Sequence, residues 1–411
     1  MIDQSGVAVP GRAGTAGRMT GAQHRAVWAG FLGWTLDAFD FFLMVFMLKA
    51  IAAEFGVGVK DVSEALFLTL AARPLGALVC GRLADRFGRR PVLMGVILAF
   101  SVLSALSGAA GSLAQLLLIR ALFGLAMGGE WGLGASLVME TVPAHLRGRV
   151  SGLLQAGYPA GYLIASLAYF LLFDAIGWRW MFVLGLVPAL LVAFIRMGVE
   201  ESPVFLARRH EEQPSAWRAL ANHWKRGLYL VVLMTAFTTL SHGTQDMYPT
   251  FLQEQHGLST RWTGTLTLLM NVGAIVGALT FGAISHKLGR QRTIIAAAAL
   301  AAPVIPMWAY GDGLVQLAVG AVLMQFAVQG AWSMVPAYLN ELSPFAIRAT
   351  FPGVVYQLGN LLSSRNVVFQ ADLAAARGGD YGFALAVVAG ATVAVLIVWT
   401  AFGPSPQDDM A

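Results

Sequence analysis

Long apolar runs separated by short polar turns recur along the whole chain. A helix needs about 20 apolar residues to cross roughly 30 Å of hydrocarbon. Twelve stretches reach that length, centred near Phe39, Ala72, Ser101, Met127, Tyr162, Pro188, Thr239, Asn271, Ala301, Phe326, Asn360 and Gly390. The pattern predicts an all-α integral membrane protein of twelve transmembrane helices, in two six-helix bundles over residues 26–197 and 226–403. A charged linker over 198–225 joins them, and 1–25 and 404–411 are tails.

A constant offset of 201 residues superposes the two bundles. Gly81-Arg-Leu-Ala-Asp85-Arg-Phe-Gly88-Arg89 falls on Gly282-Ala-Ile-Ser-His286-Lys-Leu-Gly289-Arg290, and Gly129 and Trp131 fall on Gly330 and Trp332. Pro143, Arg147 and Gly152 meet Pro344, Arg348 and Gly353, with Glu140 beside Glu341. An even number of helices per copy leaves both copies in the same orientation, related by an axis along the membrane normal.

Composition agrees: 57% of positions are hydrophobic and only 12% charged, outside the range of a water-soluble protein of this size. The net charge of +5 invites a nucleic-acid partner, but placement explains it otherwise. Nineteen of the 27 Lys and Arg fall on one side: the N-terminal tail, the loops after helices 2, 4, 8 and 10, and the stretch from Arg196 to Arg226. Five fall on the other side and three inside helices. By the positive-inside rule both termini are expected in the cytoplasm, and the protein in the cell (plasma) membrane. No nucleic acid is needed. The single Cys80 reads as packing. Residues Met1 to His24 have no apolar core, so a tail is expected there and no cleaved signal peptide.

The loop Gly81 to Pro91, its weaker copy at Gly282 and the Pro-x-x-x-Arg ends of helices 4 and 10 resemble the major facilitator superfamily over essentially the whole chain. That resemblance implies a central cavity between the halves and alternating access by rocking. Asp85 and Arg89, in this loop, are expected to hold an inner gate through charge pairs and helix ends.

Ionisable groups inside a membrane are expensive and mark function by default. The N-terminal half buries Asp37 and Asp40 in helix 1, Arg73 in helix 2, and Arg120 and Glu130 in helix 4. Their counterparts at the 201-residue offset are Thr238, Ser241, Ala274, Ala321 and Ala331, so the fold does not require charge at these positions. Asp37 and Arg73 sit near the midplane, and the i, i+3 spacing puts Asp37 and Asp40 on one face. The five charges sum to −1, and one proton brings them to zero. The reading is that a proton joins Asp37, Asp40 or Glu130 while Arg73 or Arg120 receives a substrate carboxylate through its planar fork of donors.

Helix 7 carries the polar run Ser241-His242-Gly243-Thr244-Gln245-Asp246-Met247-Tyr248-Pro249-Thr250. It resembles the helix 7 signature of lactate and pyruvate permeases of the yeast Jen type, in the sialate:proton symporter family. That family pattern has Asn where this chain has Thr238. Gly33-Trp34-Thr35-Leu36-Asp37-Ala38-Phe39-Asp40 in helix 1 and Gly128-Gly129-Glu130-Trp131-Gly132 in helix 4 suggest the same family. The resemblance implies that His242, Gln245 and Asp246 contact substrate. Arg365 in helix 11 lies at a depth like that of Asp246, and a gating pair between these two is expected. Gly157-Tyr158-Pro159-Ala160-Gly161 admits an antiporter glycine motif or simple close packing.

The expected function is therefore a proton-coupled symporter of small monocarboxylates such as lactate or pyruvate. The alternatives are a symporter of a larger acid (sialic, aromatic or dicarboxylic) or an antiporter. An enzyme is not expected, since no nucleophile–base pair or metal-ligand cluster stands out. Without a G-x-x-x-x-G-K-[ST] loop the energy source is expected to be the proton gradient, with no cofactor. The expected partners are a small organic anion, H⁺ and the bilayer, with a monomer as the working unit.

Overall fold

The computed structural model describes residues 19–207 and 216–404. All regular structure among these residues is helical. The twelve spans are α1 (Gly21–Phe55), α2 (Val59–Phe87), α3 (Arg89–Gly108), α4 (Leu113–Thr141), α5 (147–176) and α6 (178–198), then α7 (224–254), α8 (Thr260–Leu288), α9 (Arg290–Tyr310), α10 (Leu314–Glu341), α11 (350–375) and α12 (Tyr381–Ala401). Two short helices, Pro203–Ala207 and Ala216–Asn222, lie between the bundles. Most of the expected tails and residues 208–215 of the expected linker lie outside the described residues. α1 starts at Gly21, earlier than the sequence reading placed it. Thr20 and Gln23 form a reciprocal capping box there, which satisfies free backbone donors of the first turn.

Among the described residues, eight helical stretches are long and apolar enough to cross a bilayer, and one of them, Ala144–Gly198, contains two spans separated at Gly177. The remaining spans are α1, α7 and α11, of which α7 is broken between Gln245 and Tyr248 and α11 between Ser363 and Asn366. All three line the central cavity described below. Large apolar side chains such as Phe170, Leu190 and Val315 point outward, as a lipid-facing surface requires.

The 201-residue repeat holds in the backbone. Gly56, Gly88 and Gly177 have positive φ (65°, 107° and 70°), and so do Gly257, Gly289 and Gly378 at the same offset (63°, 81° and 69°). Each turn needs a residue without Cβ, so both copies keep glycine there. The ion pair Arg89–Glu140 (3.0 Å) likewise recurs as Arg290–Glu341 (2.8 Å).

The two halves meet tightly at the basic end of the bundle. Gly132 faces the Gly353 backbone, Gly152 faces Ala278 and Gly282, and Gly81 faces Thr350, with no room for a Cβ at any of the three. Ser136 donates to Asn340 Oδ1 (2.9 Å) and to the Arg348 carbonyl (3.1 Å), and the Ala337 amide donates to Ser151 Oγ (3.1 Å). Asp85 crosses from α2 to the start of α11, accepting from the amides of Ala349 (3.0 Å) and Thr350 (3.2 Å) and from Thr350 Oγ1 (2.6 Å). A carboxylate on a helix N-terminus satisfies free donors and meets the positive end of the dipole. Arg89 stays within the N-terminal half, bridging Asp85 (3.4 Å) and Glu140.

Candidate functional site

Above this seal the halves separate around a cavity of about 450 Å³. Its lining runs along α1 from Trp34 to Phe46, about 18 Å at 1.5 Å per residue, toward the end opposite the basic one. α2, α5, α7, α8, α10 and α11 supply the other walls. Where the cavity meets the seal, aromatic rings from both halves pack together. Trp131 stacks on Tyr356 (centroids 4.0 Å, 18°), and Trp34 stacks on Tyr158 (5.3 Å, 30°). Trp34 and Trp332 meet Tyr356 edge-on at 6.2 and 5.9 Å.

Of the five predicted N-terminal charges, two reach the cavity. Arg73 Nη2 lies 3.9 Å from Asp37 Oδ1, close enough for attraction and too far for a hydrogen bond. Asp37 Oδ1 and Arg73 Nε are buried without hydrogen-bond partners, while Arg73 Nη2 rests 2.7 Å from the weak acceptor Met127 Sδ. Trp34 Nε1 is a further buried donor without a partner. Buried polar atoms without partners are uncommon, and these three belong to residues of the cavity lining.

The other three are placed differently. Arg120 does not face the cavity, which corrects its assignment as a substrate contact. Its guanidinium is fully buried, 3.8 Å above the Phe123 ring and 5.6 Å from that of Phe182, with none of its nitrogens hydrogen-bonded. Asp40 shares a helix flank with Asp37 but accepts from Ser104 Oγ on α3 (2.6 Å), away from the cavity. Glu130 is buried against Gly33 of α1, with Oε2 unpaired.

Part of the helix 7 run lines the cavity. α7 breaks after Gln245 and resumes at Tyr248, so Ser241, His242, Gln245 and Asp246 end its first segment and line the wall. His242 Nδ1 lies 3.0 Å from Asp246 Oδ2, and both side chains are 35% exposed. This pair replaces the expected Asp246–Arg365 gating pair. Arg365 sits at the break between Thr350–Ser363 and Asn366–Ala375, exposed, while Ser364 and Asn366 on either side of it line the cavity. An intrahelical partner one turn away wins because its geometry is fixed by the helix itself. Double-mutant cycles on transport rate are expected to give a coupling of about 0.5–1 kcal/mol for His242→Ala with Asp246→Ala. Asp246→Ala with Arg365→Ala is expected to be additive.

Sequence reading passed over the amide wall of the C-terminal half. Gln329 Nε2 donates to Ser241 Oγ (3.3 Å), and Thr238 Oγ1 donates to Asn360 Oδ1 (3.1 Å). The amide missing at position 238 is thus supplied by α11. Tyr158, Tyr356 and Trp332 were also missed as site residues. Only the Trp131/Trp332 correspondence of the two copies hinted at a shared aromatic position. The Gly157 and Gly161 positions seat α5 against the α1 backbone at Phe31 and Thr35, which is the close-packing reading of that run.

Two pseudo-symmetric helical bundles around one cavity, sealed at one end only, define a multi-pass membrane transporter of the alternating-halves architecture. Residues 30–364 match the Major Facilitator Superfamily, and the chain belongs to that family. It is 27% identical over 345 residues to the sialic acid transporter NanX of Escherichia coli (strain K12), covering 82% of this chain and 84% of the relative. A probable 4-methylmuconolactone transporter of Cupriavidus pinatubonensis is 29% identical over 354 residues, covering 84% and 82%. Among solved structures, the proton:xylose symporter XylE superposes with a TM-score of 0.75 at 18% identity, covering 94% of this chain and 97% of that one, a likeness of fold.

Proposed function

We propose that this transporter is a proton-coupled symporter of an organic acid larger than lactate or pyruvate, located in the cell membrane with its basic end cytoplasmic. The observation that carries the reading is Arg73, a guanidinium of the cavity lining whose Nε has no hydrogen-bond partner, beside an incompletely paired Asp37. A carboxylate entering the cavity docks on the Arg73 fork and draws it away from Asp37, 3.9 Å distant. A carboxylate left without countercharge in a desolvated site takes a proton. Acid and proton then cross together, because neither alone leaves the site neutral. The sealed basic end makes this the outward-facing arrangement, and rocking of the halves exchanges it for the inward-facing one.

The larger acid is favoured over the three-carbon acids on two grounds. The cavity falls in the size range of sites for drug-sized ligands. The relatives named above are, by their names, transporters of a sialic acid and of a muconolactone. Arg120, Asp40 and Glu130 would then tune the field around Asp37 from behind rather than touch the substrate.

The test is uptake of labelled acids into proteoliposomes. Accumulation is expected to rise as external pH falls against a fixed internal pH, and to vanish with a protonophore. Asp37→Asn is expected to keep acid exchange across the membrane while losing gradient-driven accumulation by at least about tenfold. Equal accumulation with and without the gradient in the parent protein would rule out the coupling.

A further inference from the structure

We infer that the transported acid is a planar aromatic monocarboxylate, its carboxylate on Arg73 and its ring against the wall formed by Tyr158, Phe41 and Phe42. The inference rests on the organic-acid reading above and narrows its substrate class.

Three features of the cavity carry it. The first is ring surface. The stacked pairs Trp34–Tyr158 and Trp131–Tyr356 close the basic end of the cavity, and Phe41 and Phe42 continue it along α1. Phe42 meets Tyr158 edge-on at 5.4 Å, so the rings form one continuous apolar wall. Flat rings prefer offset or edge contact with other rings, a gain that a saturated ring of the same size does not share.

The second feature is the charge count. Among the described residues that line the cavity, Arg73 is the only Arg or Lys, and the remaining ionisable side chains apart from tyrosines are Asp37, His242 and Asp246. One guanidinium receives one carboxylate. A second anionic group would face Asp246 across a cavity wall with no further Arg or Lys, which disfavours dicarboxylates.

The third is the division of polarity. The guanidinium of Arg73 belongs to the N-terminal half, whereas the C-terminal half presents the amides of Gln245, Gln329, Asn271 and Asn360 beside the mutually paired His242 and Asp246. The ligand therefore has one anionic end, a flat apolar body, and at its far end room for a neutral hydrogen-bonding group. A sugar acid, with hydroxyls around its whole ring, would leave many of them against Phe41, Phe42 and Tyr158 without partners.

The experiment is competition against the transported label and thermal stabilisation of the full-length protein in detergent, using benzoate, cyclohexanecarboxylate, terephthalate, lactate and a sialic acid. Benzoate is expected to bind about tenfold more tightly than cyclohexanecarboxylate, the factor two ring contacts supply, and more tightly than each of the others. That preference is expected to shrink to under threefold in Tyr158→Leu and to survive in Tyr158→Phe. Equal binding of benzoate and cyclohexanecarboxylate, or tighter binding of terephthalate or the sialic acid, overturns this inference and leaves organic-acid transport standing. Absence of binding by every acid overturns the organic-acid reading itself. The ligand panel on the parent protein decides between these outcomes even where a variant fails to fold.

Discussion

Arg73→Ala is expected to reduce the kcat/KM for acid uptake by roughly thirty- to several-thousandfold, with the protein still inserted and monodisperse. Truncating one partner of a buried charge pair typically costs about 2–5 kcal/mol, much of it from the charge left behind. Here that charge is Asp37, which loses the guanidinium 3.9 Å away. Substrate loses its docking group in the same change, so the two penalties fall on one step. Arg73→Lys separates them: the charge survives, the planar fork does not. Its uptake is expected to lie between the parent and Arg73→Ala, with the defect mainly in KM. Initial rates over a range of acid concentrations in proteoliposomes measure both. Parent-like kinetics in Arg73→Ala would remove this residue from the site.

The second large effect is conformational. Asp85→Ala removes three hydrogen bonds that tie α2 of one half to the first turn of α11 in the other, at 2.6 to 3.2 Å. Hydrogen bonds to a charged group contribute about 1.5–3 kcal/mol each, so losing the set shifts the balance between sealed and open basic ends by at least about a hundredfold. Asp85→Asn keeps one carbonyl acceptor and is expected to fall between. Spin labels at His145→Cys on the approach to α5 and Lys287→Cys near the end of α8, in a Cys80→Ser background, read the separation of the halves. Both positions are exposed. The distance distribution is expected to move to longer values in Asp85→Ala, with gradient-driven uptake falling in parallel. An unchanged distribution would show that the glycine contacts and the Ser136 and Ser151 hydrogen bonds hold the seal without Asp85.

Hydropathy exposed the spans because crossing lipid is a condition on each segment alone. The repeat was legible because both copies meet the same local demands. Gly88 and Gly289 turn the chain with positive φ, and Arg89–Glu140 and Arg290–Glu341 brace equivalent loops. The intramembrane charges were legible too, since an ionisable residue in an apolar run stands out whatever surrounds it. The helix 7 run was found in the same way, and its His242, Gln245 and Asp246 do face the cavity.

Which charges work together was not written in the sequence. Asp37 and Asp40 are one helical turn apart, yet one looks across to Arg73 on α2 and the other to Ser104 on α3. Arg120 carries the same guanidinium as Arg73, but the rotation of α4 turns it onto Phe123 and away from the cavity. Asp246 found its partner one turn back on its own helix instead of on α11. The aromatic wall joins residues from α1, α4, α5, α10 and α11, of which only Trp131 and Trp332 are linked by a spacing, that of the repeat.

The sequence by itself therefore determined the membrane class, the duplicated architecture and the inventory of buried charge. Each depends on composition and period within one segment. Tertiary structure alone decided the pairings, the sealed end and the shape of the cavity. Those depend on the rotation and tilt of each helix against its neighbours, which packing across the whole bundle fixes and no single segment encodes.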